Sequence, residues 1–73
     1  MKTYTYLVKP AEEIALEQLR KELLVIEEEY SDEYLVSTIK LMPAQKAAIL
    51  TTPNKKFLTS LLKDKRFILI EHL

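Results

Sequence analysis

The sequence predicts an α+β fold, a two-layer sandwich in which two helices lie on one face of an antiparallel sheet. Stretches rich in β-branched and aromatic residues alternate along the chain with stretches whose apolar residues recur at helical spacing. A polar, turn-forming segment in the middle of the chain separates two strand-like stretches, as in a hairpin. The chain has 73 residues, of which 48% are hydrophobic, so we expect a single small domain over 1–73.

The N-terminal part of the chain predicts a strand followed by a helix. Residues 3–9 are β-branched and aromatic with partial alternation, which indicates a strand. Pro10 suits the first position of a helix, because its missing N–H needs no partner there. Leu19 and Leu23 then continue an apolar stripe at helical spacing, and acidic residues occupy the first turn. We expect a helix over 10–24.

The middle of the chain predicts two strands joined by a tight turn. Residues 25–30 indicate a strand with charged side chains on part of its surface, and residues 31–33 are a polar turn of hairpin length. Residues 34–41 indicate the next strand. We therefore expect a hairpin here, with acidic residues at and before its turn.

Residues 43–51 allow two interpretations. Pro43 can start a short helix, or residues 43–46 form a turn and residues 47–51 an added strand. The strand is favoured, because a second helix starting near residue 52 leaves little room for a separate stable helix just before it.

The C-terminal part of the chain predicts a helix and a last strand. Thr52-Pro53-Asn54 is a typical helix start, with a hydroxyl cap followed by proline. Apolar residues from Phe57 to Leu62 recur at helical spacing. Residues 67–70 are continuously apolar, which is typical of a strand buried on both faces or inside a sheet. The predicted order is β-α-β-β-(β)-α-β, for which a ferredoxin-like sheet is the expected arrangement.

Two segments of the chain have the pattern of a known family. They are Tyr6-Leu7-Val8-Lys9 and Leu58-x-x-Leu61-Leu62-Lys63-Asp64-Lys65-Arg66-Phe67-Ile68-Leu69-Ile70-Glu71. This first strand, and this sequence of helix, charged turn and terminal strand, resemble the subtilisin propeptide and protease inhibitor family. The resemblance implies a similar fold and points to inhibition of a protease. The chain departs from that family in lacking glycine and in having residues 42–52 between the third strand and the last helix.

The composition excludes several kinds of active site. The chain has no glycine, so it lacks the glycine-rich loops that cradle phosphates in nucleotide-binding enzymes. It has no cysteine, and its one histidine, His72, is one residue from the end of the sequence. A nucleophile therefore lacks a well-positioned base. We expect a non-catalytic protein with no cofactor and no bound metal.

The same composition bears on the compartment. No apolar run reaches the roughly 20 residues of a membrane span, and no secretion signal opens the sequence. We expect a cytoplasmic protein that does not contact a membrane.

Charge is segregated along the chain, although it sums to zero. Residues 1–36 carry four positive and nine negative side chains, whereas residues 37–73 carry seven positive and two negative. The densest negative region, called the acidic segment below, contains Glu27, Glu28, Glu29, Tyr30, Asp32, Glu33 and Tyr34. Such a segment can serve as an electrostatic docking surface, a nucleic-acid mimic or a weak cation site, or it can simply keep a hairpin tip solvated.

Basic residues gather around the second predicted helix. They are Lys55, Lys56, Lys63, Lys65 and Arg66. Together with tyrosines displayed on a sheet, they would suit nucleic-acid binding by phosphate contacts and base stacking. Carboxylates on the same sheet would repel phosphate, and the isoelectric point of about 6.6 is low for a nucleic-acid-binding domain.

The leading hypothesis from the sequence is a small non-catalytic module that docks on or inhibits a larger protein through the acidic segment. Such a compact, glycine-free module would suit a phage or mobile element. Its carboxylates would steer association, with Tyr30 and Tyr34 as anchors. One alternative is a nucleic-acid-binding accessory protein that uses the basic helix. Another is a homo-oligomeric subunit, such as a homodimer, that pairs through an exposed sheet edge or through residues 67–73.

Overall fold

The computed structural model describes residues 2–71, which form an α+β domain with a four-stranded antiparallel sheet and two helices. The elements in chain order are β1 Tyr4–Pro10, α1 Leu16–Glu29, β2 Thr38–Met42, β3 Ala47–Thr52, α2 Lys55–Lys63 and β4 Phe67–Glu71, with a 3₁₀ turn at Pro43–Gln45 between β2 and β3. The α+β class predicted from the sequence is confirmed.

The strand order across the sheet is β2-β3-β1-β4, and every neighbouring pair is antiparallel. β3 therefore lies between β1 and β2, and β1 lies between β3 and β4. Each β-α-β unit is split by a strand of the other unit, so β2 and β4 are left as the two edges of the sheet. The prediction that residues 67–70 are buried on both faces or lie inside the sheet is wrong, because β4 pairs on one side only among the described residues and Ile68 and Ile70 are exposed.

The first helix is displaced from its predicted position. Pro10 ends β1 instead of starting a helix, at a point beyond the last residue that pairs with β3, so its missing N–H costs no ladder bond. α1 begins at Leu16 and continues through residues 25–29, where a strand was predicted. The prediction is wrong because Ile26 continues the buried helical stripe of Leu19 and Leu23, and because glutamate favours helix over strand.

The predicted hairpin over 25–41 is therefore absent. Residues 31–37 form a loop, in which the Asp32 carboxylate accepts a hydrogen bond from the Tyr34 N–H at 2.9 Å and the Asp32 carbonyl accepts one from the Leu35 N–H at 3.0 Å. These local bonds hold the chain in a turn and compete with strand pairing. β2 begins only at Thr38.

The added strand favoured for residues 47–51 is confirmed as β3, and it pairs with β2. Lys46 is the last residue of the connection between β2 and β3, and its backbone is in the left-handed region, with φ of 51° and ψ of 47°. A non-glycine residue in that region costs about 1 kcal/mol.

The N-cap of α2 lies two residues after the predicted one. Asn54, and not Thr52, is the N-cap, and its side-chain oxygen accepts from the Phe57 N–H at 3.2 Å. The Thr52 hydroxyl accepts from the Asn54 N–H at 3.0 Å, and the Asn54 side-chain amide donates to the Tyr30 carbonyl at 2.7 Å. Asn54 therefore ties the start of α2 to the end of α1.

The hydrophobic core lies between the two helices and one face of the sheet. Both helices contribute to one cluster with alternate strand residues, and its buried members are Val8, Leu19, Leu23, Ile26, Ala48, Leu50, Phe57, Leu61 and Phe67. Tyr6, Ile39, Leu41 and Leu69 pack against it. Because these strand residues share one face, both helices cover the same side of the sheet and leave the other side open.

Candidate protein-binding surface

The face of the sheet opposite the helices, called the open face below, is not covered by any element among residues 2–71. Strand register and alternation assign it Thr5, Leu7, Lys9, Thr38, Lys40, Met42, Ala47, Ile49, Thr51, Ile68 and Ile70. The sheet that carries these side chains is held by three antiparallel ladders and by the core beneath it.

An apolar row crosses the centre of the open face. Leu7 lies opposite Ile49 on one side and opposite Ile70 on the other, so the three side chains are neighbours on three adjacent strands. Ile68 lies next to this row on β4. The exposed fractions are 50% for Ile68 and 47% for Ile70, while Leu7 and Ile49 are half-buried.

Lysines and threonines frame the apolar row. Lys40 lies opposite Ile49, and Lys9 lies opposite Ile68. Thr5 lies opposite Thr51, with their hydroxyl oxygens 3.5 Å apart. The alternate strand residues on this side include no aspartate or glutamate within residues 2–71. The open face is therefore an apolar surface framed by lysine and threonine side chains, and Glu13 lines a depression together with Lys9.

The acidic segment does not lie on the hairpin predicted for it. Glu27, Glu28 and Glu29 lie in the last turn of α1, Tyr30 is its C-cap, and Asp32, Glu33 and Tyr34 lie in the following loop. Glu27 is half-buried, whereas the other six residues are exposed, Tyr34 by 76%. Within the described part of the chain, no group of three or more histidine, cysteine, aspartate or glutamate side chains is arranged to hold a metal ion.

The basic residues around α2 are divided between two places. Lys55, Lys56 and Lys63 line an open groove of about 780 Å³ along α2, together with the ring of Tyr30. Lys65 and Arg66 line a separate depression on the other side of the helix end.

The charge of Arg66 is already compensated. Its guanidinium donates to the carboxylates of Asp64, at 2.7 Å, and Glu22, at 3.4 Å. The Asp64–Arg66 hydrogen bonds lower the pKa of Asp64 and raise the pKa of Arg66. Of the five basic residues predicted to bind nucleic acid, three therefore share the α2 groove, whereas Lys65 and the compensated Arg66 line another depression.

Folding also mixes the two charged halves of the sequence. Glu29 and Asp32 line the same depression as Lys55 and Lys56, where the Asn54 side chain joins α2 to the end of α1. The acidic segment therefore lies beside cations, and its field is weaker than the sequence alone suggests.

The tyrosines do not form a stacking platform. Tyr6 packs against the core under the helices, and Tyr4 shares its side of β1. Tyr30 lines the α2 groove, and Tyr34 lies on the loop. None of the four belongs to the open face. The sheet therefore does not display the tyrosines on its open face, as base stacking on a sheet requires.

Sequence reasoning missed the open face, although a signal for it was present. The positions Leu7, Ile49, Ile68 and Ile70 alternate with core positions along their strands, so apolar residues occur on both faces. Such continuous apolar runs predict burial on both faces.

His72, the only histidine, lies outside the described residues. Among the described residues, no helix is long and apolar enough to cross a membrane.

Comparisons of this chain with protein-family models, with curated proteins and with solved structures found no match. The resemblance of its two terminal segments to the subtilisin propeptide and inhibitor family stays a prediction. The geometry described above is therefore what supports a functional proposal.

Proposed function

We propose that this domain is a non-catalytic protein-binding module, which docks on a larger protein through its open face and regulates that protein. The observation that carries the proposal is the apolar row of Leu7, Ile49 and Ile70 on three adjacent strands, in which Ile70 is exposed and Leu7 and Ile49 are half-buried. Contiguous apolar side chains rimmed by polar residues are typical of interaction sites. The split β-α-β units favour a ferredoxin-like arrangement, in which this side of the sheet is free.

The open face is suited to binding because it is already ordered. Each of its strands except β4 and β2 has partners on both sides, and the opposite side of the sheet packs on a closed core. A preorganised surface loses little conformational entropy on association, so more of the gain from burying Ile68 and Ile70 appears as affinity.

The rim of the open face defines the chemistry of the partner. Lys9 and Lys40 flank the apolar row, and none of the strand residues assigned to the open face is an aspartate or glutamate. A matching surface is apolar at its centre and acidic at its margins, such as a surface helix with leucines bordered by glutamates. Complementary charge of this kind sets orientation and association rate more than affinity.

Two other surfaces would require partners of different chemistry. The acidic segment would require a basic partner, and the α2 groove with Lys55, Lys56 and Lys63 favours a polyanion as the second candidate ligand. Polyanion binding would weaken steeply with salt, because each phosphate contact releases counterions. One experiment separates these surfaces from the open face.

The experiment compares matched variants as baits in lysate of the source cell, with nuclease treatment and at two salt concentrations. The open-face variant is Ile68→Thr with Ile70→Thr, which removes exposed apolar groups but keeps residues that favour a strand. The control is Leu62→Ala, which removes an equally exposed apolar side chain from α2 (54% exposed). The acidic variant is Glu28→Gln, Glu29→Gln and Glu33→Gln.

We expect the wild type, the control and the acidic variant to capture the same protein after nuclease treatment. The open-face variant should bind the purified partner at least about tenfold more weakly in calorimetry, which corresponds to roughly 1.4 kcal/mol. The partner's own activity, measured with and without the domain, then shows the direction of regulation. Unchanged binding by the open-face variant, or capture that disappears with nuclease, would overturn the proposal.

A further inference from the structure

The two edges of the sheet differ in how they are protected. β2 has the exposed Lys40 at its centre and is followed directly by Pro43, and both features discourage pairing with another strand. β4 has neither feature. Its sequence is Phe-Ile-Leu-Ile-Glu, and no element among residues 2–71 covers its outer side.

The backbone of β4 offers unpaired groups along that outer side. The Ala11 N–H donates to the Arg66 carbonyl at 2.8 Å, which fixes the alternation of the β1–β4 ladder. By that alternation Ile68 and Ile70 bond to β1, and the amides of Phe67, Leu69 and Glu71 point outward. The Phe67 N–H donates to Asp64 at 3.3 Å. This leaves two N–H groups and three carbonyl groups directed away from the sheet.

We propose that a second copy of the chain pairs with this edge, β4 against β4, antiparallel about a two-fold axis at Leu69. In that register Leu69 lies opposite Leu69 of the second copy, and Phe67 lies opposite Glu71. The free N–H and carbonyl groups of Leu69 then meet those of the second Leu69, and the Glu71 N–H of each copy meets the Phe67 carbonyl of the other, while the Phe67 N–H stays with Asp64. The two sheets join into one eight-stranded sheet, and its contact is isologous, as in most two-fold dimers.

Side chains support the same register. Ile68 comes opposite Ile70 of the second copy as a non-hydrogen-bonded pair, the closer type of cross-strand contact, and both are about half exposed in the monomer. Their burial adds apolar area to the backbone bonds. The joined sheets would also carry two open faces side by side on one continuous surface.

The charges that flank β4 favour antiparallel pairing, and they favour a second copy of the chain as the pairing strand. The segment runs from Lys65 and Arg66, before β4, to Glu71 at its end. An antiparallel pair brings Glu71 of one copy towards Lys65 of the other, since Arg66 is already bound to Asp64 and Glu22, whereas a parallel pair would place Glu71 beside Glu71. The segment is thus complementary to itself in length, hydrogen bonding and charge.

The test measures mass and amide exchange of the full chain between about 1 and 100 μM, the range in which weak dimers become populated. We expect the mass to rise from 8.6 kDa towards twice that value by light scattering. Exchange at the Leu69 and Glu71 amides should slow as concentration rises, whereas the Ile68 and Ile70 amides, bonded to β1, should be protected throughout.

Two variants change the edge without changing the open face. Leu69→Pro removes an outward N–H and should keep the chain monomeric. Glu71→Lys should weaken the dimer at least about tenfold through like charge, and adding Lys65→Glu should restore it. A wild-type chain that stays monomeric, or a dimer in which the Leu69 amide exchanges freely, would overturn the inference. A monomer that still binds a partner through the open face would leave the proposed function intact.

Discussion

Asp64 shows how one side chain can hold the junction between two elements. It is the C-cap of α2, and its carboxylate accepts from the backbone N–H of Arg66 at 2.9 Å and from the Arg66 guanidinium at 2.7 Å. The same guanidinium reaches Glu22 on α1. The turn before β4 is thus fixed by a charge-assisted hydrogen bond rather than by apolar packing.

This pair predicts a specific dependence of stability on pH. The hydrogen bonds from Arg66 lower the pKa of Asp64 in the folded state, so the stabilisation is present above the ordinary carboxyl pKa, near 4, and is lost as pH falls through the lower folded value. Asp64→Asn keeps an acceptor for the Arg66 N–H but removes the charge. Its urea midpoint should lie below that of the wild type at neutral pH.

The two urea midpoints should converge as pH falls below about 4, because the wild-type carboxylate becomes protonated there. Asp32→Asn provides a control, because Asp32 also accepts a backbone N–H bond, from Tyr34, but lies in the loop away from this pair. A constant difference between wild type and Asp64→Asn across that range would contradict the assignment.

At the scale of an element, α1 has negatively charged side chains at its C-terminal end, where the helix dipole disfavours them. Glu28 and Glu29 lie exposed in the last turn with no basic residue in that turn, although the C-terminus of a helix has partial negative charge. Each carboxylate there costs about 0.3–1 kcal/mol. Packing of Leu19, Leu23 and Ile26 holds the helix together despite this cost.

Neutralising Glu28 should therefore stabilise the domain, because Glu28 does not line the depression in which Glu29 lies beside Lys55 and Lys56. We expect Glu28→Gln to raise the free energy of unfolding by about 0.3–1 kcal/mol at low salt, and the gain to shrink as salt screens the charge. The matched control is Glu17→Gln in the first turn of α1, which should lower stability. Urea denaturation checks both signs, and an equal response to the two changes would exclude the helix dipole as the cause.

The elements also show where sequence patterns are ambiguous. Leu24, Val25 and Ile26 are consecutive apolar residues and read as the start of a strand, yet Ile26 keeps helical spacing with Leu23. The strand at β3 and the class of the fold could be predicted, because alternation and turn residues agree there. The end of α1 could not, because its burial depends on α2 and the sheet and not on local preference.

At the scale of the whole molecule, stability rests on one side of the sheet. Leu50 is fully buried in the core, whereas its neighbour Ile49 faces the open side. A domain of this size has about 3–5 kcal/mol of stability from its core, and removing a fully buried leucine side chain costs about 2–5 kcal/mol. The free-energy cost of a single core truncation is thus comparable to the whole stability of the domain.

Alanine substitutions at these two adjacent positions should therefore differ sharply in their cost to stability. We expect Leu50→Ala to leave a large fraction of the chain unfolded at 37 °C, and Ile49→Ala to cost less than about half as much. Circular dichroism during urea denaturation measures both. Equal costs would mean that the open face is covered in solution, either within the monomer or by a second copy.

The candidate surface illustrates what sequence order hides. The acidic segment and the α2 lysines look segregated along the chain, but the split β-α-β topology brings Glu29 and Asp32 beside Lys55 and Lys56. The open face, in contrast, is assembled from residues on four strands that are far apart in sequence. Its register depends on which strands become neighbours, and this is the level at which single-sequence patterns carry least information.

The central position of β1 also has a consequence for the order of events during synthesis. Of the four strands of the sheet, β1 is synthesised before the other three, yet its partners are β3, about forty residues later, and β4, later still. At about 5–20 residues per second, β1 waits several seconds with both of its edges unpaired. The nascent chain therefore cannot complete its fold until residues 67–71 have emerged, and its last strand acts as the closing step of folding.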